Sequence, residues 1–272
     1  MKRIFFTLVL LTMLLSSHAQ DTLLVQGSRG RLHTIVVTPP TVDVEAKVPV
    51  VVIMHGFTGN KNEPLLTGLS DALLKAGIAS VRFDFNGHGA SEGNFLHMNI
   101  RNEIEDAKAI IRYVRALPWA GRISVVGHSQ GGVVASMVAG ELDEGAITSM
   151  VLYAPAANIG DGARQGAMLG REVNVADLPE TFEIWGRHLH RHYIDIARTM
   201  PMYETAAIFR GPTCIIHGDN DRIVPLSVGQ RYAEVCRDAT LHVCRDDDHG
   251  FNRDRAAAIR LGADFLIETL TK

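Results

Sequence analysis

The chain has 272 residues, 46% hydrophobic and 21% charged, which describes an ordinary globular protein and excludes a disordered one. That length suits one large α/β domain, or one domain with an insertion. A formal net charge of −3, with no long basic run, gives no electrostatic case for nucleic acid as a partner.

The first twenty residues stand apart. Lys2 and Arg3 precede an almost wholly apolar run over residues 4–15, and Ser17 and Ala19 then put small residues at the −3 and −1 positions of a cleavage site. This pattern predicts a secretory signal peptide over residues 1–19, hence a periplasmic or secreted protein with its fold over residues 20–272. The run is too short to span a bilayer comfortably, no cysteine follows it to take a lipid, and no other stretch is long enough to cross a membrane. No membrane contact is expected after cleavage.

Residues 22–38 alternate apolar and polar in places, broken by Gly27-Ser28-Arg29-Gly30, which predicts an antiparallel hairpin at a sheet edge ended by Pro39-Pro40. Residues 48–54 form a continuous apolar strand of the kind covered on both faces, with His55-Gly56-Phe57-Thr58-Gly59 directly after it. Residues 62–76 read as a helix with Leu65, Leu66, Leu69 and Leu73 on one side. Residues 79–85 are the next strand, followed by the glycine-rich turn Asn86-Gly87-His88-Gly89-Ala90-Ser91. Over 99–117, Ile100, Ile104, Ala107, Ile111, Val114 and Leu117 recur at helical spacing, and Pro118 lies just past the end.

A short strand over 123–126 then runs into Gly127-His128-Ser129-Gln130-Gly131 and on into an Ala-, Val- and Met-rich helix. This matches G-x-S-x-G, the nucleophile elbow. A strand that turns sharply into a helix holds its central residue at strained backbone angles, and glycines two residues to either side remove side chains that would collide. Residues 149–154 are another strand. Residues 155–206 break the rhythm with Gly160, Gly162, Gly166, Gly170, Pro179 and Pro201 and short helical patches such as 188–199. That is too long for an ordinary connection, so it is read as a cap inserted over the site. Strand 212–217, helix 226–237, strand 240–244 and helix 255–270 complete an α/β fold: a mainly parallel central sheet flanked by helices, the α/β-hydrolase architecture, with a small inserted cap.

A serine hydroxyl needs a base beside it, and the base an orienting acid. In a parallel sheet such groups gather at the carboxyl ends of strands. The loop after 217 offers Asp219 and Asp221. The loop after 244 offers His249. The order Ser129, acid, His249 is that of α/β-hydrolases. Asp221, in a D-x-x-V-P context, is preferred as the acid, with Asp219 left to shape the turn. The backbone N–H groups of Gln130, after the nucleophile, and Phe57, after the earlier strand, are the expected oxyanion donors, while the His55 imidazole is expected to be structural. Cys214, Cys236 and Cys244 match no zinc spacing. Cys214 and Cys244 are expected to be buried thiols. The Asp246-Asp247-Asp248 run reads as a solvated loop, and His188 and His192 lack the Glu of H-E-x-x-H, so no metal and no cofactor is expected.

Together, His55-Gly-Phe-Thr-Gly-Asn-Lys61, Asp84-Phe-Asn-Gly-His-Gly89, Gly127-His-Ser-Gln-Gly-Gly132, Tyr203-Glu204 and His217-Gly-x-x-Asp221 resemble the bacterial cinnamoyl (feruloyl) esterases of the α/β-hydrolase superfamily, from about residue 22 to the C-terminus. The resemblance implies hydrolysis of hydroxycinnamoyl, ferulate-type esters of plant cell-wall sugars through an acyl-enzyme. The substrate would be a small aromatic ester or a feruloylated oligosaccharide. The resemblance also implies a cap that holds the phenolic end by polar side chains, at positions matched by Gln165 and Tyr193 and, less directly, Asp161. A general short-chain acyl esterase or an exported serine peptidase on the same scaffold is the enzymatic alternative, and a catalytically silent binding protein the non-enzymatic one. The sequence does not decide whether the protein forms a homodimer.

Overall fold

A computed structural model describes residues 19–40, 45, 47–169 and 171–272. The expected signal peptide lies outside them except for Ala19, which opens the first strand. β1 (Ala19–Gln26) and β2 (Arg31–Thr38) pair antiparallel around the Gly27–Gly30 turn, from Ala19 opposite Thr38 to Gln26 opposite Arg31. The chain continues through β3 (Val48–Met54), α1 (Pro64–Lys75), β4 (Ala79–Phe83), α2 (Ile100–Ala116), β5 (Ala120–His128), α3 (Gln130–Glu141) and β6 (Met150–Tyr153). A long connection carries α4 (Asn158–Gln165), β7 (Ala167–Met168), β8 (Arg171–Glu172), β9 (Thr181–Ile184), β10 (Arg187–His190), α5 (His192–Ala197) and α6 (Met202–Ala206). β11 (Pro212–Gly218), α7 (Leu226–Val235), β12 (Asp238–Cys244) and α8 (Arg255–Thr271) follow.

One sheet of eight strands runs β1-β2-β4-β3-β5-β6-β11-β12. It is parallel from β4 to β12, and only the β1–β2–β4 edge is antiparallel. The apolar runs of the central strands are explained by cover on both faces. In β3, Val50 and Val52 pack in one core with α2, α3 and α7, while Val51 and Ile53 pack in the other with α1 and α8. The α2 stripe of Ile100, Ile104, Ala107, Ile111 and Val114 is buried, and Asn99 caps the helix by accepting from the Asn102 N–H. α3 is buried on every side from Gln130 to Gly140, so it carries no amphipathic stripe.

The long connection departs from the expected helical patch over 188–199. Trp185 (φ 50°) and Gly186 (φ 73°) make a two-residue hairpin turn that pairs Ile184 with Arg187 and His190 with Thr181. β10 therefore takes the first half of the patch and α5 only the second. His188 and His192 consequently do not share a helix face. Cys214 and Cys236 are buried free thiols. Cys244, on the edge strand β12, is only half-buried, unlike the expectation from its apolar surroundings. Among the described residues no helix is long and apolar enough to cross a membrane, and no cluster of three His, Cys, Asp or Glu side chains is placed to hold a metal ion.

Candidate active site

Ser129 sits between the end of β5 and the start of α3, with φ 57° and ψ −123°. For a residue with a Cβ this is a strained backbone, and its surroundings hold it there. The Ser129 N–H donates to the Tyr153 carbonyl at 2.9 Å, and its own carbonyl accepts from Gly132 and Ala156. The flanking glycines are a steric requirement. A Cβ on Gly127 would lie 2.0 Å from the Gly131 carbonyl oxygen.

The Ser129 hydroxyl meets the His249 imidazole at Nε2, 2.9 Å away. Nδ1 of His249 lies 2.6 Å from Oδ2 of Asp221. The Asp221 carboxylate is enclosed, and its Oδ1 accepts the N–H groups of Ile223 and Val224, both at 2.8 Å. Burial alone would favour its protonated form, but hydrogen bonds from His217 and His249 outweigh this and hold the carboxyl well below the usual carboxylate range. Burial lowers the His249 pKa, the Asp221 contact opposes that, and nearby His128 lowers it further, so the imidazole is neutral at pH 7 and free to take a proton. Asp219 is turned elsewhere: its Oδ1 accepts the Asp246 N–H at 2.5 Å and ties two loops together. The aspartate run shapes the histidine loop. Asp247 is buried and accepts from the Asp248, Arg253 and Asp254 N–H groups, and Asp248 accepts from Gly250 and Asn252.

Opposite the hydroxyl lies the loop after β3. A Cβ on Gly56 would come 2.9 Å from the Ser129 Cβ, so the backbone reaches Ser129 only because residue 56 is glycine. Gln130 is the first residue of α3, where an N–H has no partner within the helix. Among the described residues, neither its N–H nor that of Phe57 donates to a protein group. His55 fixes the loop. Its Nδ1 donates to the Gly56 carbonyl at 2.8 Å and its Nε2 accepts the Phe85 N–H at 3.0 Å, while burial lowers its pKa and keeps it neutral.

The three residues matched to phenol binding are dispersed. Tyr193 is buried, with its ring 5.8 Å from that of Phe57 and its O–H donating to Oε1 of Gln130 at 2.6 Å. Asp161 pairs instead with Arg164 at 2.5 Å and lines a cleft of about 300 Å³ with Arg198, Tyr203 and Arg231. Gln165 is exposed at the end of α4. Neither Asp161 nor Gln165 touches Tyr193, Ser129 or His249 among the described contacts.

Two contacts were not foreseen from sequence. Nε2 of His128 donates to the His249 carbonyl at 2.8 Å, which anchors the histidine loop to the elbow. The buried Glu103 accepts from Nε2 of Gln130 at 2.7 Å. The second had a signal: Glu103 falls within the apolar stripe of α2, between Ile100 and Ala107, where helical spacing allows no exposed charge.

The profile of the family described as Hydrolase_4, "Serine aminopeptidase, S33", matches residues 45–181. The monoacylglycerol lipase of Mycolicibacterium smegmatis is 27% identical over 207 residues, which cover 65% of this chain and 72% of the lipase. The structure of ferulic acid bound to Est1E from Butyrivibrio proteoclasticus superposes with a TM-score of 0.88 at 26% identity, covering 92% of this chain and 100% of that one. A second Est1E structure gives a TM-score of 0.84 at 24% identity over 92% and 99%. Sheet order, nucleophile elbow and family match agree, and the chain belongs to the "Serine aminopeptidase, S33" family, as a serine hydrolase of the α/β-hydrolase fold.

Proposed function

We propose that the protein is a carboxylic ester hydrolase acting on hydroxycinnamoyl, ferulate-type esters, the acids that esterify plant cell-wall sugars. Ser129 attacks the ester carbonyl while His249 takes its proton. Asp221 orients His249 and stabilises the imidazolium. The N–H groups of Phe57 and Gln130 receive the oxyanion. His249 then returns the proton to the leaving alcohol and activates the water that releases the acid. The observation that carries the chemistry is the unbroken run of contacts from Ser129 through His249 to Asp221, at 2.9 and 2.6 Å. The substrate class is supported by likeness over nearly the whole chain to a protein that binds ferulic acid, and by the aromatic cluster in which Phe57, next to the Gly56 that meets Ser129, packs against Phe95 and Trp185. On this reading residues 155–206 cap the site, with Tyr193 bonded to the side chain of Gln130, the residue after the nucleophile. Residues 1–19 direct export and are removed, as the mass of protein recovered outside the cytoplasm would report.

The test is kcat/KM for methyl ferulate against p-nitrophenyl butyrate, glycerol monobutyrate and an aminoacyl-p-nitroanilide, with Ser129→Ala as control. A strong ferulate preference that Ser129→Ala abolishes is expected. The resemblance to a monoacylglycerol lipase and the aminopeptidase family description each favour a rival. Preference for the glycerol ester or the anilide would replace the substrate class while leaving the serine chemistry standing.

A further inference from the structure

Behind the nucleophile lies a polar chain that the proposed chemistry does not use. Glu103 on α2, Gln130 at the start of α3 and Tyr193 on α5 are 1%, 0% and 0% exposed. The Gln130 side chain is held at both ends. Its Nε2 donates to Oε2 of Glu103 at 2.7 Å, and its Oε1 accepts the Tyr193 O–H at 2.6 Å. The amide is therefore fixed in rotamer and in orientation, with nitrogen toward carboxyl and oxygen toward hydroxyl. Oε1 of Glu103 has no partner among the described residues. Burial pushes the Glu103 carboxyl up to about 8; the Gln130 contact opposes this, and Asp106, one turn along α2, adds to it. At pH 7 the acid is neutral, so the chain buries no net charge there.

Such a chain is costly as a way of filling a core. Apolar side chains of the same volume would stabilise the fold at least as well. What a fully buried polar chain supplies is a single geometry. Here the residue whose geometry is fixed is the one directly after Ser129, and its backbone N–H heads α3. We propose that Glu103 and Tyr193 are positioning residues which, by clamping the Gln130 side chain, hold the Gln130 backbone N–H at the reacting carbonyl and couple the seating of α5 to the oxyanion site. This rests on the reading of Ser129 as nucleophile. It gives Tyr193 a role that does not depend on a phenolic substrate, although its oxygen can still accept a further hydrogen bond.

The experiment is a kinetic cycle on the full chain with p-nitrophenyl acetate, whose acyl group is too small to reach a phenol-binding slot. Glu103→Ala, Tyr193→Phe and Gln130→Ala are each expected to lower kcat about ten-fold or more with KM changed less than about three-fold, since a donor used in the transition state is being misplaced. Glu103→Gln, which keeps an acceptor for Gln130, restores most of what Glu103→Ala loses. In the Gln130→Ala background, where nothing is left to clamp, adding Glu103→Ala or Tyr193→Phe changes kcat less than about two-fold. Multiplicative losses in that background would overturn the proposal. So would a lowered melting temperature with kcat intact in the single variants, which is the mark of a purely structural chain. Should Glu103→Ala not fold, Tyr193→Phe removes one oxygen and completes the same cycle. Activity surviving in Ser129→Ala would overturn the underlying reading, and is distinguishable because the cycle is run only on Ser129-dependent turnover.

Discussion

Gly131 lies so near His55 that a Cβ on it would come within 2.3 Å of the His55 carbonyl oxygen and 2.6 Å of that of Met54. The helix that follows Ser129 is thus pressed against the backbone that leads to Phe57. Both obstacles are main-chain atoms, which cannot rotate away. Gly131→Ala must push α3 and the end of β3 apart and separate the two N–H groups proposed to receive the oxyanion. Overpacking of this kind costs about 1–3 kcal/mol, and loss of one oxyanion donor lowers kcat about 100-fold or more. Chemical denaturation and p-nitrophenyl acetate turnover would measure the two effects. Unchanged kcat in a folded variant would remove the steric account of the elbow.

On the proposed mechanism, the state of His249 sets the acid limb of activity. Burial lowers its pKa, Asp221 opposes that, and His128 reinforces it, with a net value below the ordinary 6.5. A base of this kind is active when neutral, so kcat/KM is expected to fall with unit slope as pH drops through that pKa and to level off above it. Asp221→Asn removes the carboxylate that favours the charged imidazole. The acid limb then moves to lower pH, while the plateau falls by up to about 10⁴-fold as orientation and charge stabilisation are lost. A pH profile of kcat/KM for both proteins checks this. An acid limb that stays in place in Asp221→Asn would separate the carboxylate from the titrating group.

Much of this was legible because the signals are local. G-x-S-x-G encodes a collision between Gly127 and Gly131 that any strand-to-helix turn would produce. The strand alternation encodes sheet edges, and the α2 stripe its buried face. The β9–β10 hairpin was hidden because its turn is Trp185-Gly186, in which a bulky residue takes the left-handed position usually given to Asn, Asp or Gly. Asp221 is preferred over Asp219 for its D-x-x-V-P context, and what that context does appears only in three dimensions: Ile223 and Val224 bring their N–H groups back to Oδ1 of Asp221. Asp161 and Gln165 were matched by position alone. The salt bridge from Asp161 to Arg164, three residues on, is a contact that a positional match does not weigh.

Lys61 and Asp84 show why two separate motif segments act as one unit. The Lys61 ammonium meets Oδ2 of Asp84 at 2.5 Å, both side chains are almost wholly buried, and Asp84 also accepts the N–H groups of Lys61 and Ala90. Burial favours the neutral acid, but these bonds outweigh it and lower the carboxyl pKa. Lys61→Met leaves that carboxylate buried without its counter-ion, at a cost of about 3–5 kcal/mol. Lys61→Met with Asp84→Asn removes both charges and is expected to recover a substantial part of the loss. Urea midpoints of the two variants make the comparison, and equal destabilisation in both would show that packing, not the ion pair, matters at this position.

Trp185 stands half exposed (49%) at the tip of the β9–β10 hairpin, with its ring edge-on to Phe57 at 5.7 Å. Phe57 carries one of the two proposed oxyanion N–H groups, so a flat aromatic acid held at Ser129 would lie against this pair. The chain has two tryptophans, and Trp119, whose carbonyl accepts from Val48, directly precedes β5, at the end of that strand remote from Ser129. Ferulate binding should therefore be visible in one indole alone. After correction for ferulate absorbance, quenching on titration is expected in the parent and in Trp119→Phe, and not in Trp185→Phe. Burial of an aromatic face against an indole is worth about 0.5–1.5 kcal/mol beyond its area. Trp185→Ala should accordingly raise KM for methyl ferulate several-fold and leave p-nitrophenyl acetate unaffected. Equal quenching in Trp185→Phe, or equal losses on both esters, would move the aromatic acid away from the hairpin and take with it the case for these residues as readers of a hydroxycinnamoyl group.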